Sequence, residues 1–299
     1  MTKVLFFIHN GWVFGKIHNE AIKHLWPDVD CDILDWNHPL THEEAFLLQQ
    51  KYDYILSLPD VCFMLHSKFS IPFEQLIGVA HSDFDIYKPI RQQISPEEFQ
   101  KLRGYAVISP VLRNISLAHG IPRVPTLLPV GVNCQQYRKP PATEIRQLGY
   151  LGKLARTDQT FDLKRGCLAQ QVAEQVGLPL FHRENIHFLA VEPLYKTIDL
   201  LMFCSLTEGN PYPALEAMAA GIPVLGTHVG LFPELTRTGA GVILPMEEEK
   251  YVAEAVAVIR ALQADHGLYL RMHEQALKTS LGYDWSTVRD IWVSYIQSL

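Results

Sequence analysis

Short apolar runs, nearly continuous within themselves, recur along this chain with amphipathic stretches between them, and this alternation constrains the fold more than any other feature. In the first half they occupy residues 4–8, 31–36, 54–58, 76–80, 105–108 and 126–132. A strand with one face in water alternates apolar and polar residues, whereas a strand covered on both faces does not. The runs therefore predict a parallel sheet sandwiched between helices. Helical patterns at 15–26, 41–51 and 109–119 supply part of that cover. The polar stretch QQYRKPPAT at 135–143, with Pro140 and Pro141 adjacent, interrupts the periodicity and predicts a junction. A second series follows at 148–151, 178–181, 187–190, 200–204, 224–227 and 241–244.

Two doubly wound α/β domains, 1–138 and 139–281, are the simplest architecture for this double series. The tail, 282–299, carries an apolar face of Trp285, Val288, Ile291, Trp292, Tyr295 and Ile296, which must dock on something large. A length of 299 residues suits two domains, and 48% hydrophobic with 19% charged residues excludes long disorder. The net charge of -6 lacks the basic excess of a nonspecific nucleic-acid binder, so no nucleic-acid partner is expected. Five scattered cysteines without a C-x-x-C pair suit a reducing compartment, and the histidines offer no zinc motif. The apolar run at 4–8 is too short for a signal sequence, and no stretch approaches a membrane span. The expected location is cytoplasmic, with peripheral contact at the inner face of the membrane left open.

In open α/β sheets ligands sit beyond the carboxyl ends of strands, so the strand-to-helix loops matter most. The run 200–204 leads into a polar turn and a helix: Asn210 fits an N-cap, Pro211 the first helical position, and Gly221 with Pro223 the stop. Amides of Gly209, Asn210, Tyr212 and Ala214 at such a helix start would favour a diphosphate. Glu208 precedes the helix and Glu216 lies further in, so one is placed to act toward a reacting sugar and the other toward a ribose diol. Taken in isolation, two such carboxylates are more simply a solvated turn residue and a surface glutamate.

The Glu-x7-Glu spacing, the trailing EAMAAGIPVLGTHVG at 216–230 and LFPELTRTGAGVILP at 231–245 together resemble retaining glycosyltransferases of the GT-B fold, particularly glycosyltransferase family 4. Pro129-Val130-Gly131-Val132-Asn133, Gly149-Tyr150-Leu151-Gly152-Lys153 and Asp284-Trp285 extend the likeness to the domain crossings. The resemblance implies two Rossmann-like doubly wound domains facing a central cleft, with the C-terminal helix packing back on the first. It implies a nucleoside-diphosphate sugar as co-substrate, no cofactor and no metal. It assigns catalysis to Glu208 and His81, and donor binding to Lys153, Arg165, Gly209, Asn210, Pro211, Tyr212, Glu216 and Gly11. Lys153 stands where the family often has Arg, which loses bidentate phosphate binding; Lys164 adjoins Arg165 and competes for the second basic position.

On the N-terminal side, the loop after residues 4–8 has only Gly11 and Gly15 with bulky Trp12, Val13 and Phe14 between them, a poor dinucleotide fingerprint. His81 ends the fourth run and by itself reads as a satisfied strand-end histidine. Asp83-x-Asp85 just beyond it also matches the metal-binding pair of GT-A transferases, the sharpest alternative. A catalytically idle GT-B-like binding subunit is a further one. The acceptor, whether glycan, lipid-linked or small molecule, is not readable; Trp12, Phe14 and Tyr87 are equally core or lid.

Overall fold

A computed structural model describes the chain except residues 10, 12, 153, 155–162 and 185–189 and the side chains of residues 13 and 14. It divides into two compact units, one of Met1–Gly131 with Trp285–Leu299, the other Val132–Asp284.

The first unit holds a six-stranded sheet built from β1 (Thr2–Ile8), β2 (Val29–Asp35), β3 (Tyr54–Ser57), β4 (Leu76–Ala80), β5 (Gly104–Val107) and β6 (Thr126–Leu127). Its order is β2-β1-β3-β4-β5-β6 and its pairs are parallel, for example Phe6 with Ile33 on one side and Leu56 on the other. Every residue of β4 and β5 is buried, as a sheet covered on both faces requires. β6 is shorter than the run 126–132 because Pro129 has no amide to give to a ladder. Helices start where capping chemistry permits: Thr41 and Glu44 form a capping box for His42–Lys51, and Ser109 caps Pro110–Ala118. The helices Pro59–Phe69 and Asp83–Arg91 add cover that the apolar pattern alone did not announce.

The terminal helix Trp285–Gln297 belongs to this first unit. Trp285 and Trp292 are fully buried, His24 stacks on Trp285 with ring centroids 5.6 Å apart, and Trp292 Nε1 donates to Pro129 O at 2.9 Å. Gly131 is pressed against the Trp285 indole, leaving no room for a Cβ. Ile291, expected on the docked face, is 44% exposed, and Val293 is buried in its stead.

The second unit holds β7 (Leu148–Leu151), β8 (Leu180–Arg183), β9 (Leu200–Phe203), β10 (Val224–Thr227) and β11 (Gly241–Leu244) in the order β11-β10-β9-β7-β8, with parallel pairs. Its core joins Leu148, Met202 and Leu225 of the sheet to Leu168, Val172, Tyr251, Ile259 and Tyr269 of the covering helices. The strand expected at 187–190 falls on 187–189, outside the described residues.

The junction expected at 138/139 lies instead at Gly131/Val132, and the return crossing at Asp284/Trp285 rather than 281/282. The cause is packing of the supposed linker on the second unit. Val132 N donates to Tyr283 O at 2.8 Å, Cys134 N to Asp284 Oδ2 at 3.0 Å, and Tyr137 is 1% exposed. Lys139, beside the proline pair, reaches Asp199 at 3.7 Å. Among the described residues, no helix is long and apolar enough to cross a membrane.

Candidate functional site

Strand order locates the site of the second unit before any side chain is considered. From β7 the chain goes to β8 on one side and then to β9 on the other, so neighbouring connections leave in opposite directions between β7 and β9. A crevice opens outside the carboxyl ends of strands at such a reversal. The segment after β9 leads to Glu208.

β9 is buried along its whole length, and Cys204 and Ser205 beyond it are 0% and 2% exposed, so the turn that follows starts from a fixed point. Thr227 Oγ1, at the end of the neighbouring β10, donates to Ser205 O. Ser205 Oγ in turn donates to Glu208 Oε1 at 2.7 Å, and the Lys164 ammonium pairs with the same oxygen. Leu206 N donates to Leu163 O at 2.8 Å, which brings the bend carrying the lysine to this loop. Glu208 keeps 18% of its side chain exposed and Lys164 52%, so this pair is open to solvent. The loop after β10 closes from the other side: Gly230 has φ +52, and a Cβ there would stand 2.7 Å from Glu208 O and 2.8 Å from Gly209 O. Only glycine fits both that backbone and that space.

The helix Tyr212–Ala219 starts one residue later than expected, with Pro211 and not Asn210 at the N-cap, and Asn210 makes no capping bond. Two of the four amides assigned to an anion are occupied: Tyr212 N donates to Asn210 O at 2.7 Å and Ala214 N to Pro211 O at 2.8 Å. Pro211 at the N-cap has no side-chain oxygen to accept from the helix and Pro213 has no amide to offer, so the turn folds onto its own carbonyls. Among the described residues, the Gly209 and Asn210 amides donate to no other group, and both polar atoms of the Asn210 side chain are buried without a hydrogen-bond partner. The helix ends at Gly221, φ +76, under the ring of His273.

Glu216 lies in the second turn at 3% exposure. Tyr137 Oη donates to its Oε1 and Tyr195 Oη to its Oε2, each at 2.7 Å. Neither tyrosine was singled out from the sequence as part of a site. The one available signal was a large aromatic, Tyr137, in a stretch otherwise polar enough to read as linker.

Arg165, expected on donor phosphates, is 3% exposed and turned inward: Nε donates to Cys204 O at 2.8 Å and Nη1 to Met246 O at 2.6 Å. It ties the end of β9 to the chain beyond β11, and its neighbour Lys164 is the cation at Glu208. Arg165 takes a left-handed backbone, φ 47, at the N-cap of the helix Gly166–Val176, so the chain turns there and the two side chains part. Lys153 lies outside the described residues.

Gly11 and His81 belong to the first unit. Gly11 N donates to His9 Nδ1 at 3.0 Å. His81, at the end of β4, is 6% exposed, with the His18 ring edge-on at 5.1 Å. Burial, and secondarily His18, push its imidazole well below its ordinary range, so it is neutral at physiological pH. Asp83 and Asp85 do not form the metal pair of a GT-A enzyme. Asp85 is the third residue of its helix, and its Oδ2 accepts from His81 N at 2.9 Å and Ser82 N at 2.8 Å, closing a capping box. Among the described residues, no cluster of His, Cys, Asp and Glu could hold a metal ion.

Residues 167–262 match the family model described as "Glycosyl transferases group 1". The D-inositol 3-phosphate glycosyltransferase of Nocardia farcinica is 29% identical over 136 residues, 43% of this chain and 29% of its own length. The lipopolysaccharide core biosynthesis mannosyltransferase LpsB of Rhizobium meliloti is 38% identical over 66 residues, 21% of this chain and 19% of its own. The matched stretches thus span less than a third of those relatives. The structure of Anabaena HepE with UDP and glucose superposes over 100% of both chains with a TM-score of 0.73 at 14% identity. The chain has the GT-B fold, with two Rossmann-like units, and residues 167–262 of the second are similar to the group 1 glycosyltransferases.

Proposed function

We propose that this chain is a retaining, metal-independent glycosyltransferase that moves a sugar from a nucleoside-diphosphate sugar to a glycan, lipid-linked or small-molecule acceptor. The observation that carries this reading is the assembly at the end of β9: a half-open carboxylate, Glu208, fixed by Ser205 and paired with Lys164, directly ahead of a turn whose Gly209 and Asn210 amides are not used elsewhere among the described residues. The group 1 segment and the UDP bound by HepE support a nucleotide-sugar donor.

As the anomeric carbon–oxygen bond breaks, its electron pair goes to the leaving diphosphate and positive charge develops on the sugar ring; the acceptor hydroxyl oxygen forms the new bond and its proton passes to the leaving diphosphate oxygen. Lys164 and the turn amides face the first charge and Glu208 the second, so each stabilises the transition state more than the ground state. We assign Lys153 to the phosphates with Lys164, Glu216 to the ribose, and neutral His81 to the transferred sugar, with Gly11 allowing close approach. Retention follows the family resemblance. The cysteines, free of disulfides, suit the cytoplasmic setting in which we place the reaction.

The test is release of free nucleoside diphosphate from uridine, guanosine and adenosine diphosphate sugars, with and without EDTA. Release indifferent to EDTA supports the proposal; release abolished by EDTA overturns metal independence, and no release with any donor favours an idle binding subunit.

A further inference from the structure

Among the described residues four strands end a sheet, β2 and β6 in the first unit and β8 and β11 in the second. An edge strand presents unpaired N–H and C=O groups that pair readily with another strand, and chains ordinarily guard it with charge, proline or brevity. Three of the four are guarded in this way. β2 carries Asp30, Asp32 and Asp35, and β8 carries His182 and Arg183. β6 has two residues, with Pro125 just before it and Pro129 soon after. β11 is different. Its residues Gly241-Val242-Ile243-Leu244 hold no charge and no proline, and Val242 and Ile243 have the branched side chains that favour strands. Its neighbours β10 and β9 are buried throughout, yet in β11 only Leu244 is, and Ile243 is 37% exposed.

The two ends of β11 differ in charge. Arg237, closing the helix Phe232–Thr236, stands at the approach to its amino end with 72% of its side chain exposed. Glu247, Glu248 and Glu249 follow its carboxyl end, at the start of the helix Glu248–Ala264. Arg237 and Glu247 have partners within their own chain, Glu234 at 2.8 Å and Lys250 at 2.7 Å, but exposed pairs of this kind hold weakly and exchange readily. A second copy meeting this edge across a twofold axis lays its own β11 antiparallel to the first. Val242 then faces Ile243 of the second copy and Gly241 faces Leu244, apolar against apolar. Each amino end comes beside the other carboxyl end, so Arg237 of one copy meets the glutamates of the other. A parallel arrangement would set like charges together. The antiparallel pair also closes on itself, because it covers both unguarded edges and leaves only guarded ones.

We propose that β11 is a self-association edge, through which two copies of this chain join the sheets of their second units antiparallel into one. The pairing is independent of the reaction proposed above. Four residues a side form a small interface, so association should be reversible, with a dissociation constant on the order of 10 µM.

The experiment is sedimentation velocity of the full chain, from roughly tenfold below to tenfold above that concentration, with hydrogen exchange measured at both limits. The wild type should pass from monomer to dimer, and the amides of residues 241–244 should exchange more slowly as it does. Ile243→Lys puts a charge on the strand at an exposed position and should weaken association by about tenfold or more. Phe46→Lys, at a side chain 59% exposed in the first unit, should leave association unchanged. Arg237→Glu should weaken it by about threefold, and adding Glu247→Lys to that variant should recover most of the loss, since the two positions face each other only across antiparallel strands. A chain that stays monomeric throughout, slowing confined to other segments, or assembly beyond two copies would overturn the proposal. So would equal losses in Ile243→Lys and Phe46→Lys, or no recovery from Glu247→Lys.

Discussion

The carboxyl ends of β4 and β9 carry the same local pattern, a serine followed three residues on by an acid, and put it to opposite uses. At β4 the helix begins at Asp83, immediately after Ser82, so Asp85 falls at its third position and bends back onto the His81 and Ser82 amides. At β9 the helix begins only at Tyr212, past Glu208, because Pro211 and Pro213 delay it. No helix start claims the Glu208 carboxylate; Ser205 and Lys164 hold it at the mouth of the loop instead. The spacing is equal and both acids are carboxylates, Glu208 being longer by one methylene, and the two places differ further in where the next helix nucleates.

The largest effect that would test this contrast is loss of the acid at β9. Glu208→Ala should lower turnover by about 100- to 1,000-fold, as for removal of one preorganised charge-stabilising group, with the melting temperature nearly unchanged. Normal turnover in a normally melting variant would refute the role assigned to the β9 end. The two neighbouring cations sharpen the same point. Arg165→Ala should destabilise the fold by about 3 kcal/mol, since it deprives two carbonyls of charged donors in a buried setting. Lys164→Ala should leave melting unchanged and raise the donor KM. The reverse pattern in urea titrations and kinetics would restore Arg165 to the phosphates.

Most of the fold was legible in the sequence because parallel strands buried on both faces must be continuous apolar runs, as at β4 and β9. The docked tail was legible through helical spacing, Ile291 excepted. The junction was not: Pro140 and Pro141 look like a linker, yet the chain there lies on the second unit because Tyr137 has a buried carboxylate to reach. Within the site, Glu208 and Glu216 could be named only from their spacing read with the family resemblance, and not their different surroundings, which depend on Tyr137, Tyr195 and Lys164 arriving from elsewhere in the chain. Arg165 and Lys164 exchanged places because sequence adjacency does not say which side chain turns into the core.

Gly230→Ala tests how closely the β10 loop supports Glu208. The left-handed backbone costs a non-glycine residue about 1–2 kcal/mol, and the added Cβ would push the Glu208 and Gly209 carbonyls aside. Turnover should drop by roughly tenfold, from displacement of the preorganised acid by a fraction of an ångström, with the melting temperature lowered by a few degrees. A fall in melting temperature with kcat intact would show that Glu208 tolerates movement and that its fixed position is unimportant.

The smallest effect belongs to the acid at β4. Burial pushes the Asp85 carboxyl up to about 6 from an ordinary 3.8, although the amides it accepts from pull the other way. A carboxyl that holds its proton more tightly folded than unfolded stabilises the fold fully below about 3.8, and that contribution is lost as pH rises through about 6. Asp85→Asn has no such titration and still offers an oxygen to the same amides. Its stability should therefore gain on the wild type as pH climbs across that window, ending within about 1 kcal/mol of it near neutrality because a neutral amide caps the helix less well. Melting curves at stepped pH measure this directly. Parallel curves for the two proteins would mean that Asp85 is not the buried, backbone-bound acid that sets β4 apart from β9, and turnover lost in Asp85→Asn but not in Glu208→Ala would invert the comparison.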